Sequence, residues 1–435
     1  MAIQLKNIES RMDILLQNAH LIDPSMDLDE ASFDLEIRDG IITQIGRGLK
    51  SNGEVRDLSG AVVAPGFFDL HVHLREPGQE YKETIESGLN AAMAGGFTGV
   101  CCMPNTEPAI SNPFVVSYIK EKADGHLVDL AICGTMTNDR KGEELAPMAA
   151  LAKAGVRMIS DDGAAVRSAE VMRRVFEYAK TFDLLVTQHC EEHSMTAGAA
   201  MNEGRTSTKL GLPGWPSVAE EIIIARDILL AEYVGGVRYH AAHVSTKGGV
   251  RLIREAKARG LAVSCETTPH HFTLTDEAVE QHGTLAKMCP PLRSQQDMDA
   301  IIEGLRDGTI DCIATDHAPH ATHEKETDMI SAAMGIIGLE TAIPLGLTHL
   351  VNAGHLTLSQ YIERCSINPR KLLGLDTVQI KEGHPANLTI FDPDKKWRFS
   401  ESDIRSKSRN TPFLGNEFTG RVLGAINQGM LYWQR

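Results

Sequence analysis

Gly66-Phe67-Phe68-Asp69-Leu70-His71-Val72-His73 is the stretch that decides how this chain reads. Its apolar first half is strand-forming, and on an extended chain residues i and i+2 point to one face. His71 and His73 therefore present two imidazoles side by side where a strand ends. Histidine pairs at this spacing are common on surfaces, so the pair alone decides little. Its weight comes from what stands at the ends of the strands that follow.

Working outward, β-rich runs at 66–71, 99–103, 127–133, 156–160, 184–189, 237–243, 262–267 and 310–315 alternate with amphipathic stretches. The amphipathic stretches predict helices at 82–94, 143–154, 169–181, 218–233, 248–259 and 295–306. Gly155, Gly235 and Gly260 follow three of them, as suits a left-handed helix end. Eight strands alternating with helices predict an α/β fold, a closed (β/α)8 TIM-type barrel over 66–375. No glycine-rich dinucleotide fingerprint follows the first strand, which argues against an open doubly wound sheet. The ends read differently. Short strands at 12–21, 33–38 and 41–46, the last two joined by an Asp39-Gly40 hairpin turn, are matched by runs at 377–380, 387–391, 397–399 and 422–427. Neither end can bury a core alone, so 1–65 and 376–435 are expected to form one small β-sandwich domain.

The chain has 435 residues, 42% hydrophobic and 23% charged, ample for a globular core. A formal charge of −15 without a basic cluster excludes a nucleic-acid partner, and an anionic substrate would need local cations. The eight cysteines show no disulfide or zinc-finger spacing and read as buried thiols of a reducing compartment. Residues 1–23 hold no long apolar run and no stretch reaches membrane-spanning length, so a cytoplasmic protein without membrane contact is expected.

Catalytic groups of such barrels gather where the strands end. Those ends carry His71 and His73, then Ser160-Asp161-Asp162-Gly163, His189-Cys190-Glu191-Glu192, His243-Val244-Ser245-Thr246, and Asp316-His317-Ala318-Pro319-His320. Histidines and aspartates converging on one mouth suit a pair of divalent metals, with zinc the expected ion. Cys190 cannot share a task with His189, since strand neighbours point to opposite faces.

The motifs DLHVHLREPG (69–78), MPNT (103–106), SDDG (160–163), HCEE (189–192), HVST (243–246), ETTPHHF (266–272), PPLR (290–293), DHAPH (316–320) and GIIGLET (335–341) together resemble the dihydroorotases of the amidohydrolase superfamily. The likeness is to the long branch related to the dihydroorotase domain of multifunctional pyrimidine enzymes, and it runs from about Ile14 to Asn427. It implies reversible cyclisation of N-carbamoyl-L-aspartate to L-dihydroorotate in pyrimidine (UMP) biosynthesis. It implies that His71, His73 and Asp316 hold one metal, His189 and His243 the other, and that Asp162 bridges them. Relatives often bridge with a carboxylated lysine, but 155–160 contains none. Asp161 then reads as a turn or cap residue, and Asp69 as a partner orienting a ligand histidine.

The resemblance further implies Asp316 as general acid and base. It implies substrate contacts from His73, Arg75, Asn105, Cys289, His320, Met334 and Gly335, with Gly335 and Met334 offering backbone groups to the ring. Arg75 offers a bidentate fork for a carboxylate. Cys289 is a departure, because the family usually places Asn there and a thiol is a poor substitute for an amide. His240, His270, His271 and His317 read as structural, and 321–333 as a solvated loop after the last strand. Two rivals remain at this level. A hydantoinase- or allantoinase-like amidase should carry the bridging lysine. A non-catalytic scaffold for aspartate transcarbamoylase should have lost metal ligands. A transcarbamoylase partner and homo-oligomerisation are compatible with either active reading.

Overall fold

The computed structural model describes residues 8–10 and 13–434. Eight parallel strands, β1 (Phe67–Val72), β2 (Phe97–Cys102), β3 (Asp129–Gly134), β4 (Met158–Ile159), β5 (Leu185–Gln188), β6 (Arg238–Ala241), β7 (Val263–Thr267) and β8 (Cys312–Ile313), pair in sequence order. The ring is nearly closed. Val72 bridges His317 in parallel, and the His73 N–H donates to the His317 carbonyl at 2.9 Å, joining the end of β1 to the segment after β8. The predicted barrel is therefore the observed one, although β4 and β8 are two-residue strands.

The outer helices begin where the sequence supplies caps. Thr84, Ser168, Thr246 and Ser294 each accept from a backbone N–H of the first turn of Ile85–Ala94, Ala169–Thr181, Lys247–Ala258 and Gln295–Asp307. The helix expected over 143–154 is only Met148–Lys153, because Pro147 pushes the residue before it away from helical geometry. Gly155, Gly235 and Gly260 do take positive φ, at 95°, 64° and 78°.

A one-residue register slip in β1 aims the histidines. Asp69 pairs with Val100 and Val72 with Cys102, so three steps on β1 oppose two on β2. Phe68 and Leu70 point into the barrel core with Cys101, Met103, Cys133, Met158 and Leu185. Phe67 and Val72 pack outward under the helices. The bulge lets His71 and His73 reach the inner face after that apolar layer.

Strands from both ends of the chain build a mixed sheet of nine strands among the described residues. Its order is Ile8–Ser10, Met430–Trp433, Glu417–Asn427, Leu388–Arg398, Val62–Pro65, Ile14–Asp23, Leu28–Arg38, Ile41–Gly46, with Glu54–Asp57 also on Ile14–Asp23. Asp39 and Gly40 turn the hairpin with φ of 47° and 75°. Ile14, Leu16, Leu35, Ile37, Leu388, Ile390 and Ile426 form its own core, while Phe391, Val422 and Ala425 belong to the barrel's. Three expectations change. The first strand begins at Ile14, Met12 lying outside the described residues. No strand forms at 377–380, where the Ile380 N–H is taken by Asp23 Oδ2 at 2.8 Å. The run at 397–399 is the end of Leu388–Arg398, carried past Pro393 by a slip in register.

Candidate metal centre

The six side chains expected to hold metal meet at the mouth, and one carboxylate stands at their centre. Asp162 Oδ1 lies 3.4 Å from His71 Nε2, 3.5 Å from His243 Nε2 and 3.8 Å from His189 Nδ1. Its Oδ2 lies 3.5 Å from His73 Nε2. Asp316 Oδ1 faces His73 Nε2 at 2.9 Å and His71 Nε2 at 3.6 Å, and His189 Nδ1 faces His243 Nε2 at 2.9 Å. Asp161 turns away and accepts from the backbone N–H groups of Met136 and Thr137 at 2.9 and 3.1 Å.

These residues are held in costly backbone conformations. His243 and Asp316 have φ of 32° and 46°, and neighbouring Arg75 has 61°, each worth about 1–3 kcal/mol of strain. Hydrogen bonds on the flanks fix them. Asp69 accepts from the Thr315 N–H at 3.1 Å, Thr315 Oγ1 from the His317 N–H at 3.1 Å, and the Glu266 carbonyl from the Val244 N–H at 2.8 Å.

Does this cluster suit metal ions? All six side chains are buried, yet His71 Nε2 and Asp162 Oδ1 have no hydrogen-bond partner. Unmet polar atoms in a closed interior are expensive, and a cation would satisfy both. His71, His73 and Asp316, and separately His71, Asp162 and His243, bring their ligand atoms within 4.8 Å of one another. Electrostatics agree. Burial opposes charge on His71, but Asp162, Asp316 and Glu266 outweigh it and hold its pKa well above the usual imidazole value. The site draws in positive charge.

A cavity of about 260 Å³ opens onto the cluster, lined by Arg75, Asn105, Cys289, His320 and Met334 as well as by five of the six groups, all but His71. Arg75 is buried, its Nε donating to the Pro319 carbonyl at 3.1 Å, and burial lowers its pKa to about 10, so it stays cationic at neutral pH. His320 is kept neutral, its pKa lowered to about 3 by burial and by Arg75, and its Nε2 donates to the Met334 carbonyl at 3.0 Å. Asn105 Oδ1 accepts from His73 Nδ1 at 2.8 Å, so it orients a ligand as well as lining the cavity. Gly335 differs from expectation: its N–H goes to the Lys287 carbonyl, and its own carbonyl accepts from Lys325 and Asn410. What glycine supplies there is space, since a Cβ would stand 2.6 Å from the Ala318 carbonyl oxygen.

A family model for dihydro-orotase-like proteins matches residues 60–249. A dihydroorotase of Chlorobaculum tepidum is 51% identical over 438 aligned residues, 97% of this chain and 99% of its own length. One from Trichlorobacter lovleyi is also 51% identical, over 97% of this chain and 99% of its own. The chain belongs to the dihydroorotase family. The L-hydantoinase (dihydropyrimidinase) of Arthrobacter aurescens superposes with a TM-score of 0.84 at 26% identity, covering 96% of this chain and 95% of its own. The family member described here is thus a cyclic amidohydrolase on the barrel that hydantoinases share.

Two carboxylates of this dihydroorotase-family site escape a reading of the sequence. Glu266, at the inner end of β7, accepts from His71 Nδ1 at 2.7 Å and stands 3.3 Å from His240 Nε2. Glu191 accepts from His189 Nε2 at 2.9 Å. Each holds the far nitrogen of a candidate ligand. Asp69, expected to orient a ligand histidine, contacts His71 through the main chain, accepting from its backbone N–H at 3.0 Å. The signal for the two glutamates was present in the ETTPHHF and HCEE motifs, as acids on inward-facing positions. His271, His240 and His317 are hydrogen-bonded interior residues: His271 Nε2 reaches the Pro290 carbonyl at 3.1 Å, His240 Nδ1 reaches Ser264 Oγ at 2.8 Å, and His317 Nδ1 accepts from the Gly338 N–H at 3.2 Å.

Proposed function

We propose that this chain is a binuclear zinc dihydroorotase of the cytoplasm, interconverting N-carbamoyl-L-aspartate and L-dihydroorotate in pyrimidine synthesis. In this reading 66–375 form the catalytic barrel, and 1–65 with 376–435 form a small companion domain. The observation that carries the reading is Asp162, one carboxylate facing four imidazoles, with a buried arginine in the same small cavity.

His71, His73 and Asp316 would hold one ion, His189 and His243 the other, with Asp162 shared between them. Bound there, divalent ions supply Lewis acidity and a water acidic enough to be a nucleophile at neutral pH. Asp316 then manages the proton. In hydrolysis it takes the proton of the attacking water and delivers it to the ring nitrogen as the carbon–nitrogen bond breaks. In cyclisation it runs backward, taking the proton of the nitrogen that attacks the carboxyl carbon and giving it to the hydroxyl that leaves as water. Asp316 Oδ1 sits 2.9 Å from His73 Nε2, on the wall of the same cavity as Arg75, which supports this role.

Arg75 binds the substrate's spare carboxylate, supplying the cation that a chain of net charge −15 must provide locally. Asn105 donates from its amide nitrogen, and His320, Cys289 and Met334 shape the wall against the ring. To this reading belong self-association or pairing with an aspartate transcarbamoylase, which sedimentation with and without that partner tests.

The deciding experiment is steady-state hydrolysis of L-dihydroorotate by zinc-loaded protein, followed by ultraviolet absorbance beside hydantoin and allantoin. Turnover of dihydroorotate alone is expected. Preference for hydantoin or allantoin, or no turnover despite bound metal, would overturn it.

A further inference from the structure

Two lysines are buried beneath the loop that follows β8, and neither forms an ion pair among the described residues. Lys325 and Lys287 are 3% and 2% exposed. Lys325 Nζ donates to the carbonyls of Ala333 at 2.8 Å, Gly335 at 3.0 Å and Lys287 at 3.2 Å. Lys287 Nζ donates to the carbonyls of Ala332 at 2.7 Å and Ile330 at 2.9 Å. An ammonium taken out of water must have its donors met. Three carbonyls around one nitrogen match the three N–H bonds of an ammonium, whereas a neutral amine offers two.

The three carbonyls come from two segments that both line the cavity. Lys287 leads directly into Met288 and Cys289, and Ala333 and Gly335 flank Met334; all three of Met288, Cys289 and Met334 line the cavity. The segments are also joined by the Gly335 N–H to the Lys287 carbonyl at 3.0 Å and by Lys287 Nζ to the Ala332 and Ile330 carbonyls, but only Lys325 gathers carbonyls of both at one nitrogen.

We propose that Lys325 is a positioning residue for the reaction: its ammonium draws the Lys287, Ala333 and Gly335 carbonyls to one point and so sets the gap between the Cys289 and Met334 walls in which the substrate ring binds. This rests on the reading that the cavity takes the ring. Burial, then the charge of Lys287, lowers the Lys325 pKa to about 7, with Glu324 opposing. The groups around it are Lys287, itself lowered by burial, Glu324, which pairs with Lys82, neutral His320, and Arg409 and Glu401 across the adjoining hollow. The third donor is therefore lost as pH passes upward through neutrality, and the walls loosen.

The test measures kcat, KM for dihydroorotate and bound metal in wild type, K325M and K325R, below and above neutral pH. K325M should raise KM about tenfold, the loss of one charge-assisted hydrogen bond, and by more than it lowers kcat or metal content. The wild-type KM should climb above neutrality, and that climb should be absent in K325R, whose charge does not titrate. Wild-type KM in K325M, or the same climb in K325R, overturns the proposal. If K325M does not fold, the comparison of wild type with K325R decides. R75M separates the two readings. A raised KM in R75M beside an unchanged one in K325M refutes the latch alone, and no change in either refutes the cavity as the ring site.

Discussion

Glu266 offers the sharpest check on how the site is held, because it touches only the far side of a ligand. Its carboxylate is buried in the barrel, 2.7 Å from His71 Nδ1 and 3.3 Å from His240 Nε2. Glu266→Gln keeps the shape and an acceptor oxygen but removes the charge, converting a charge-assisted hydrogen bond into a neutral one. The difference is roughly 1.4 kcal/mol, about tenfold in metal affinity. Glu266→Leu removes the acceptor and leaves His71 Nδ1 unmet, roughly 2.7 kcal/mol or about 100-fold. The assay is competition against a chelator, with retained metal counted by mass spectrometry, and thermal unfolding run beside it. Asp69→Asn is the internal control, since Asp69 meets the backbone N–H groups of His71 and Thr315 and the Thr315 side chain rather than a ligand ring. It should cost stability with little change in metal affinity. Equal metal retention in wild type and both Glu266 variants, or a loss in Asp69→Asn as large as in Glu266→Gln, would refute the reasoning.

Other outcomes follow from the same geometry. In metal-saturated protein Asp316→Asn should lower kcat by about 10²–10⁴, and retained turnover would end its role as proton carrier. Arg75→Met should raise KM for dihydroorotate about 100-fold and leave metal content unchanged, read by steady-state kinetics and metal analysis. Asp227, buried on the helix Val218–Val234, has its pKa lifted by burial from 3.8 to about 6, a difference worth roughly 3 kcal/mol. A raised carboxyl pKa favours the folded state below the unfolded value and loses that contribution as pH climbs through 6. Asp227→Asn should therefore flatten the fall in stability between the unfolded pKa of 3.8 and the folded one of about 6, measured by denaturant melts across acidic pH. A slope equal to wild type would show that Asp227 does not ionise in that window.

The ligands were legible because a barrel ties sequence position to space: every parallel strand ends at the same mouth, so an acid or imidazole just past a strand is brought to that mouth whatever its distance along the chain. His71 and Asp316 are far apart in sequence and 3.6 Å apart in the fold. What holds a ligand's other nitrogen follows a different rule. It depends on which inward side chains meet across the barrel at one depth, and that is set by bulges and strand shear, which a sequence does not display. Asp69 and Glu266 are both acids at such positions. The slip in β1 leaves Asp69 beneath the main chain of His71 and brings Glu266 to its ring. Charge in the loop after β8 misleads for a related reason. Glu324-Lys325-Glu326 has the composition of solvated surface, yet Lys325 turns inward because three carbonyls await it there, while Glu324 stays near the rim with Lys82. Carbonyl groups carry no sequence signature, so a lysine that serves them cannot be told from one that serves water until the backbone is placed.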